Sequence, residues 1–331
     1  MMHTAQRGHR LSLNENPYGP LPSVRRALTG ALGAANRYPE FLPRRLPELI
    51  AGRLGYPPEQ VVVGAGATGV IMHILQEFVP PGAGVVLATP TFDGYPLLTA
   101  TVGGRVVEVP LTPTGHQDLP ALAAAVDERT AVVVLCSPHN PTGTAIRHAE
   151  LAEFLEHTAR SVVVVFDEAY VDFVRPSERV RTAELLARHP NLIVMRTFSK
   201  AYGLAALRVG YALGSVPIMA RIRRWQLPFG MTALAEAGVR ACYAAEAELA
   251  VRTATITREC DRLTTGLREL GYQVPASSAN FVYLTGCDAL ELDRLRGGFA
   301  GAGIQVKHCA TGIRITVGDT AATEAVIAAA R

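Results

Sequence analysis

The chain has 331 residues, 49% of them hydrophobic and 18% charged. That length suggests roughly two domains of about 150 residues each, and the composition excludes intrinsic disorder because ample apolar surface is available for burial. With 32 basic against 29 acidic residues the net charge is +3, too balanced to bind nucleic acid or an anionic membrane through bulk charge, although basic side chains could still converge on one small anion. The cysteines (Cys136, Cys242, Cys260, Cys287 and Cys309) are scattered without a C-x-x-C pair, which argues against a disulfide framework or a zinc ribbon. The histidines show neither H-x-x-x-H nor H-E-x-x-H spacing, so no metal site is expected. Residues 1–7 carry no apolar secretory segment, and runs such as Val162–Phe166 fall far below the roughly 20 residues of a membrane span. The expectation is a soluble protein of a reducing, cytoplasmic compartment.

Residues 11–47 are rich in Pro, Gly and Asn and predict an extended arm rather than a core element. From about residue 60, β-rich runs at Val61–Val63, Gly84–Ala88, Arg105–Val109, Ala131–Cys136, Ser161–Phe166, Leu192–Arg196 and Val209–Leu213 alternate with helical patterns at Gly69–Val79, His148–Thr158 and Ala183–Arg188. Continuous runs such as Val132–Leu135 and Val162–Val165 are those of strands buried on both faces, so this region predicts an α/β domain with a mostly parallel sheet. Residues 232–270 predict one long helix, rich in Ala, Glu and Arg. Phe281–Leu284, Leu290–Ala300, Ile304–Val306, Ile313–Val317 and a last helix from Ala321 then predict a smaller α+β unit. The domain expectation is an arm over 1–35 belonging to the small unit, a large domain over 36–235 and a small domain over 236–331.

In open α/β sheets, ligands bind beyond the carboxyl ends of the strands. The polar residues that follow the predicted strands are Gly66–Thr68, Phe92, His139-Asn140, Asp167 with Tyr170, and Ser199-Lys200. Lys200 lies between an apolar run and a Gly-containing turn; a desolvated amine there is reactive toward aldehydes. Asp167 ends the strongest buried-strand pattern, where a carboxylate calls for a cation such as a protonated pyridine nitrogen, a helix N-cap being the plainer role. Ser137–Gly143 is a turn of two prolines and a glycine from which Asn140 could present its amide. Gly64–Gly69 is a small-residue turn before a helix, whose free N–H groups suit a phosphate, and Arg208 could add a charged donor. His139 is read as packing in its turn rather than as a catalytic group.

Together these motifs resemble the fold-type-I pyridoxal-phosphate enzymes, the aspartate-aminotransferase superfamily, and within it they are similar to the histidinol-phosphate aminotransferase group. The resemblance covers residues 11 to 330; its sharpest parts are Leu13–Pro20, Arg37–Pro39, Ser137–Gly143, Asp167–Tyr170, Thr197–Gly203 with Arg208, and Ile313–Gly318. It implies the PLP-transferase fold, a three-layer large domain plus a smaller α+β domain, with pyridoxal 5′-phosphate as cofactor. It further implies that Lys200 holds the cofactor as a Schiff base and moves the substrate's Cα proton. Asp167 would pair with the pyridinium nitrogen, and Asn140 and Tyr170 would bond the ring oxygen. Phe92 and Ala169 would line the two ring faces. Gly66, Ala67, Thr68, Ser199 and Arg208 would bind the phosphate, joined by Tyr38 from the neighbouring subunit of a homodimer. Arg314, with Lys307, Tyr18 and Asn16, would bind the substrate. The implied activity is transamination between an amino donor and a 2-oxo acid.

The sequence departs from that group near its C-terminus. Lys307 stands where the group typically has an arginine, and six residues rather than about a dozen separate it from Arg314. Lysine offers a point charge where arginine offers a planar fork, which weakens the case for a phosphorylated donor such as histidinol phosphate. Decarboxylation, oxidation or elimination on the same scaffold, and a non-catalytic ligand-binding role, are the alternative readings.

Overall fold

The computed structural model describes residues 8–331; the expectation about a leader segment rests on residues 1–7, which lie outside them. The strands are β1 (His9–Leu11), β2 (Val61–Ala65), β3 (Gly84–Thr89), β4 (Arg105–Pro110), β5 (Thr130–Cys136), β6 (Val163–Asp167), β7 (Leu192–Thr197), β8 (Val209–Gly214), β9 (Phe281–Thr285), β10 (Ile304–Cys309) and β11 (Gly312–Thr316). The helices are α1 (Pro22–Ala31), α2 (Arg45–Leu54), α3 (Gly66–Phe78), α4 (Gly94–Thr101), α5 (Leu119–Ala124), α6 (His148–His157), α7 (Thr182–Arg188), α8 (Val216–Arg223), α9 (Ala233–Ala244), α10 (Glu246–Glu269), α11 (Ala289–Gly301) and α12 (Thr320–Ala329).

Seven strands form the large sheet in the order β2-β8-β7-β6-β5-β3-β4. Only β8 runs against its neighbours. The valine runs of β5 and β6 are buried along their length because helices cover both faces. One consequence places the site: β2, β3, β5, β6 and β7 all end at the same edge, and reversed β8 begins there, directly after Arg208. At that edge Glu168, 2% exposed, pairs with Arg196 at 2.7 Å and joins β6 to β7.

The second sheet has the order β1-β10-β11-β9. β10 and β11 form a hairpin in which Lys307 is paired directly with Arg314, and the last pair, Cys309 with Gly312, leaves only Ala310 and Thr311 as its turn. The short Lys307–Arg314 segment is therefore regular sheet rather than an irregular loop.

Three expectations are corrected here. The supposed arm is not uniformly extended. β1 joins the small sheet, but α1 is a helix whose Val24 is fully buried, with Leu21 just before it 1% exposed. Leu21, Val24 and Leu28 fall on one face, and Pro22 opens the helix where a missing N–H costs nothing. The predicted single helix over 232–270 is two, broken at Ala245. Thr232 caps the first by accepting from the Ala235 N–H at 3.0 Å. The break falls where the chain passes from one core to the other: Ala235 and Val239 of α9 pack in the larger core, Ile256 and Leu263 of α10 in the smaller. Thus α1 and α9, expected outside the large unit, pack in its core. No helix among the described residues is long and apolar enough to cross a membrane.

Candidate active site

The ends of β5, β6 and β7, the start of α3, the loop before α4, the arm around Asn14 and the β10–β11 hairpin surround one pocket of about 260 Å³. Lys200 projects from the turn after β7. Its Nζ donates to the main-chain carbonyls of Leu13 and Asn14, each at 3.2 Å. Burial, and then the nearby Arg314 and Arg208 guanidinium groups, push its ammonium down to about 8, against the opposing pull of Glu15 and Asp167. The amine is thus within reach of its neutral, nucleophilic form.

Asp167 is 5% exposed at the end of β6. One oxygen accepts from the Ala169 N–H at 2.9 Å and the other from the Tyr95 hydroxyl. Burial raises this carboxyl above its ordinary value, while those two donors and the Lys200 charge oppose the rise. Both contacting donors are neutral, so a cation in the pocket would complete the compensation. Tyr95, on α4 and 1% exposed, was not anticipated from the sequence. Its only signal was its spacing three residues after Phe92, with which it makes an edge-to-face contact at 5.6 Å.

The Asn140 side-chain oxygen accepts from Arg314 Nη1 at 2.5 Å, which leaves the amide's N–H groups to donate elsewhere, and Asn140 lines the pocket. Arg314 Nη2 donates to the Ser12 carbonyl at 2.5 Å. Its Nε is buried without a partner, in a residue only 7% exposed. Arg314 lines the pocket, and a guanidinium in its wall is a place for an anion, which would compete for it with Asn140 and Ser12. His139 is fully buried, its Nε2 lying 3.0 Å from the Pro90 carbonyl. Burial pulls its pKa down to about 4, so the ring is neutral and, as expected, packs in the turn.

The start of α3 carries no side-chain cap and no acidic residue in its first turn. Ala67 and Thr68 line the pocket there with Ser199 and Arg208. Gly66 has φ +73°, and a Cβ on it would lie 2.2 Å from the Arg208 guanidinium, so only glycine lets that cation reach the helix start. Uncapped N–H groups, a hydroxyl and a guanidinium form a cradle of the kind that holds a phosphate. The phosphate cradle, the lysine with its lowered pKa, the buried carboxylate and the polar Asn140 and Tyr170 in one pocket have the chemistry to hold pyridoxal phosphate.

Of the residues expected at the site, Ala67, Thr68, Phe92, Asn140, Asp167, Ala169, Tyr170, Ser199, Lys200, Arg208, Lys307 and Arg314 line this pocket, and Gly66 adjoins it. Three do not. Asn16 spends its side-chain amide on the carbonyls of Lys200 and Ala201, at 3.2 and 2.9 Å, and so braces the lysine turn. Tyr18 lies under Arg252, 4.9 Å from its ring centroid. Tyr38, expected at the neighbouring subunit's site rather than its own, is 84% exposed, 4.8 Å from the Phe229 ring. Lys307 is present but already engaged, its ammonium 2.5 Å from Asp93 across the pocket mouth.

The family model for class I and II aminotransferases matches residues 8–329. The chain belongs to this family. An aromatic amino acid aminotransferase of Thermobifida fusca is 44% identical over 314 residues, covering 94% of this chain and 86% of that protein. One of Streptomyces coelicolor is 40% identical, covering 96% and 88%. The crystal structure of histidinol-phosphate aminotransferase from Sinorhizobium meliloti in complex with pyridoxal 5′-phosphate superposes with a TM-score of 0.91 at 30% identity, covering 98% of this chain and 89% of that one. The fold is accordingly that of the aspartate-aminotransferase-like enzymes, and the activity is pyridoxal-phosphate-dependent transamination rather than the decarboxylase, oxidase, lyase or non-catalytic alternatives.

Proposed function

We propose that this aminotransferase takes an aromatic amino acid as donor and a 2-oxo acid as acceptor. The observation that carries the choice of donor is the Lys307–Asp93 pair. A phosphorylated donor would have to break that pair and lie against the Asp93 carboxylate, with one lysine where a fork is wanted. An uncharged ring meets no such cost, and Leu13, Ile71, Phe92 and Pro141 offer it apolar wall. The names of the relatives from Thermobifida fusca and Streptomyces coelicolor support the same class.

Pyridoxal phosphate, when bound, supplies the electron sink and the carbonyl carbon that takes the amino group. The protein supplies the rest. The cradle of Gly66, Ala67, Thr68, Ser199 and Arg208 anchors the phosphate, and Asp167 balances the pyridinium. Asn140 and Tyr170 donate to the ring oxygen, while Phe92 and Ala169 set the ring plane. Arg314 holds the donor's carboxylate, which keeps that group from being the one lost. Lys200, whose amine lies in the pocket wall with its proton loosened, would be the base that takes the donor's Cα proton and returns it to complete the transfer. A base so placed can lower the barrier by roughly 7–11 kcal/mol. Exposed Tyr38, Phe41 and Leu227 support a homodimer, in which Tyr38 would reach the partner's phosphate cradle.

The test is a single-turnover absorbance assay of the cofactor-loaded protein with phenylalanine, tyrosine and, separately, histidinol phosphate. The reading predicts conversion at least tenfold faster with the aromatic amino acids. In Asp93→Asn the gap should narrow through a gain with histidinol phosphate. Rapid conversion by histidinol phosphate alone overturns it.

A further inference from the structure

The side chain of Asn14 has no role in the account above, yet its surroundings are unusual. Asn14 has φ 54°, the left-handed conformation that asparagine adopts more readily than other residues with a side chain, and it is 1% exposed. A buried residue persists there only when its neighbours over-determine it. Its N–H donates to Thr316 Oγ1 at 2.9 Å. The Thr316 hydroxyl, its lone pair so used, donates to Asn14 Oδ1 at 3.1 Å. The carbonyl end of the amide is thereby fixed, and Nδ2 must face Tyr170, whose oxygen it reaches at 3.0 Å. The Asn14 main-chain carbonyl accepts from Lys200 Nζ and from Asn280 Nδ2, both at 3.2 Å.

The polarity of this chain of bonds has a consequence. Because the Tyr170 oxygen accepts from Asn14, its own proton is free to point elsewhere, and Tyr170 lines the pocket. We propose that Asn14 is a positioning residue of the reaction: its amide aims the Tyr170 hydroxyl at the cofactor's ring oxygen, and its carbonyl receives the Lys200 amine whenever that amine is free. One residue of the arm thus sets the donor on the ring and, with the Leu13 carbonyl, the resting place of the base. The inference rests on Tyr170 and Lys200 holding the places proposed for them.

The test is the pH titration of the resting, cofactor-loaded protein followed by its absorbance, with no substrate present. A donor to the ring oxygen stabilises its ionised form, so losing the donor raises the titration midpoint. Tyr170→Phe sets the full effect, on the order of one pH unit. Asn14→Gly keeps the left-handed backbone and removes the amide. Asn14→Asp keeps the shape but offers Tyr170 an acceptor, drawing its proton out of the pocket. Both should raise the midpoint toward that of Tyr170→Phe, and Asn14→Gly combined with Tyr170→Phe should move it no further than Tyr170→Phe alone. A wild-type midpoint in folded Asn14→Gly or Asn14→Asp, or additive shifts in the double variant, overturns the proposal. An unmoved midpoint in Tyr170→Phe instead removes the placement of Tyr170 on which it rests.

Discussion

Replacing Arg314 with lysine keeps the positive charge and removes the fork. In the structure two arms of that fork are committed, to Asn140 and to the Ser12 carbonyl, each at 2.5 Å, in a residue 7% exposed that lines the pocket. An ammonium group at the end of a flexible chain cannot hold Asn140 and Ser12 together and also offer a carboxylate the paired donors of a planar fork. The variant should lose one charged hydrogen bond to the donor's carboxylate, about 1.5–3 kcal/mol. That is roughly a 10- to 150-fold fall in kcat/KM. The assay compares phenylalanine with 2-phenylethylamine, which carries the same ring and amine without the carboxylate, in single-turnover absorbance experiments. The loss should appear with phenylalanine and be absent with the amine. An equal loss with both would show that Arg314 acts by holding the pocket together, and a loss below about threefold with phenylalanine would refute the assignment outright.

Lys200 in the cofactor-free protein is protonated and unreactive well below its midpoint of about 8 and free above it, so the rate of covalent cofactor capture should climb as pH rises through that value; a rate flat between pH 7 and 9, measured by stopped-flow absorbance, contradicts this. Tyr95→Phe removes one of the two donors to buried Asp167 and should lower the stability of the cofactor-free protein by about 1.5–3 kcal/mol in urea unfolding. Arg196→Met strands Glu168, which is 2% exposed, and should cost about 3–5 kcal/mol, read from the same denaturation curves; a variant as stable as the parent would mean that Glu168 is neutral.

Much of the site could be read from sequence because buried parallel strands are conspicuous. The valine runs of β5 and β6 fix where the sheet lies, and a polar residue at the end of such a run, Asp167 or the Lys200 that follows β7, stands out against it. Helix α1 was hidden, since proline, glycine and serine around it gave the composition of a loop while only the spacing of Leu21, Val24 and Leu28 reported the buried face. Nor could sequence reading tell that Asn16 and Tyr18 lie outside the pocket.

By itself the sequence determined what is local: which segments bury both faces, where each strand ends, and which reactive side chains stand at those ends. Tertiary structure decided who meets whom. Tyr95 finds Asp167 72 residues away, Lys307 finds Asp93 at a separation of 214, and Asn14 finds Thr316 at 302. Periodicity records burial because burial repeats along a helix or strand. A hydrogen bond between distant residues leaves no periodic trace, since its partners are set by how the sheets and helices cross in space. In this protein those crossings determine which cations stay free to hold a substrate.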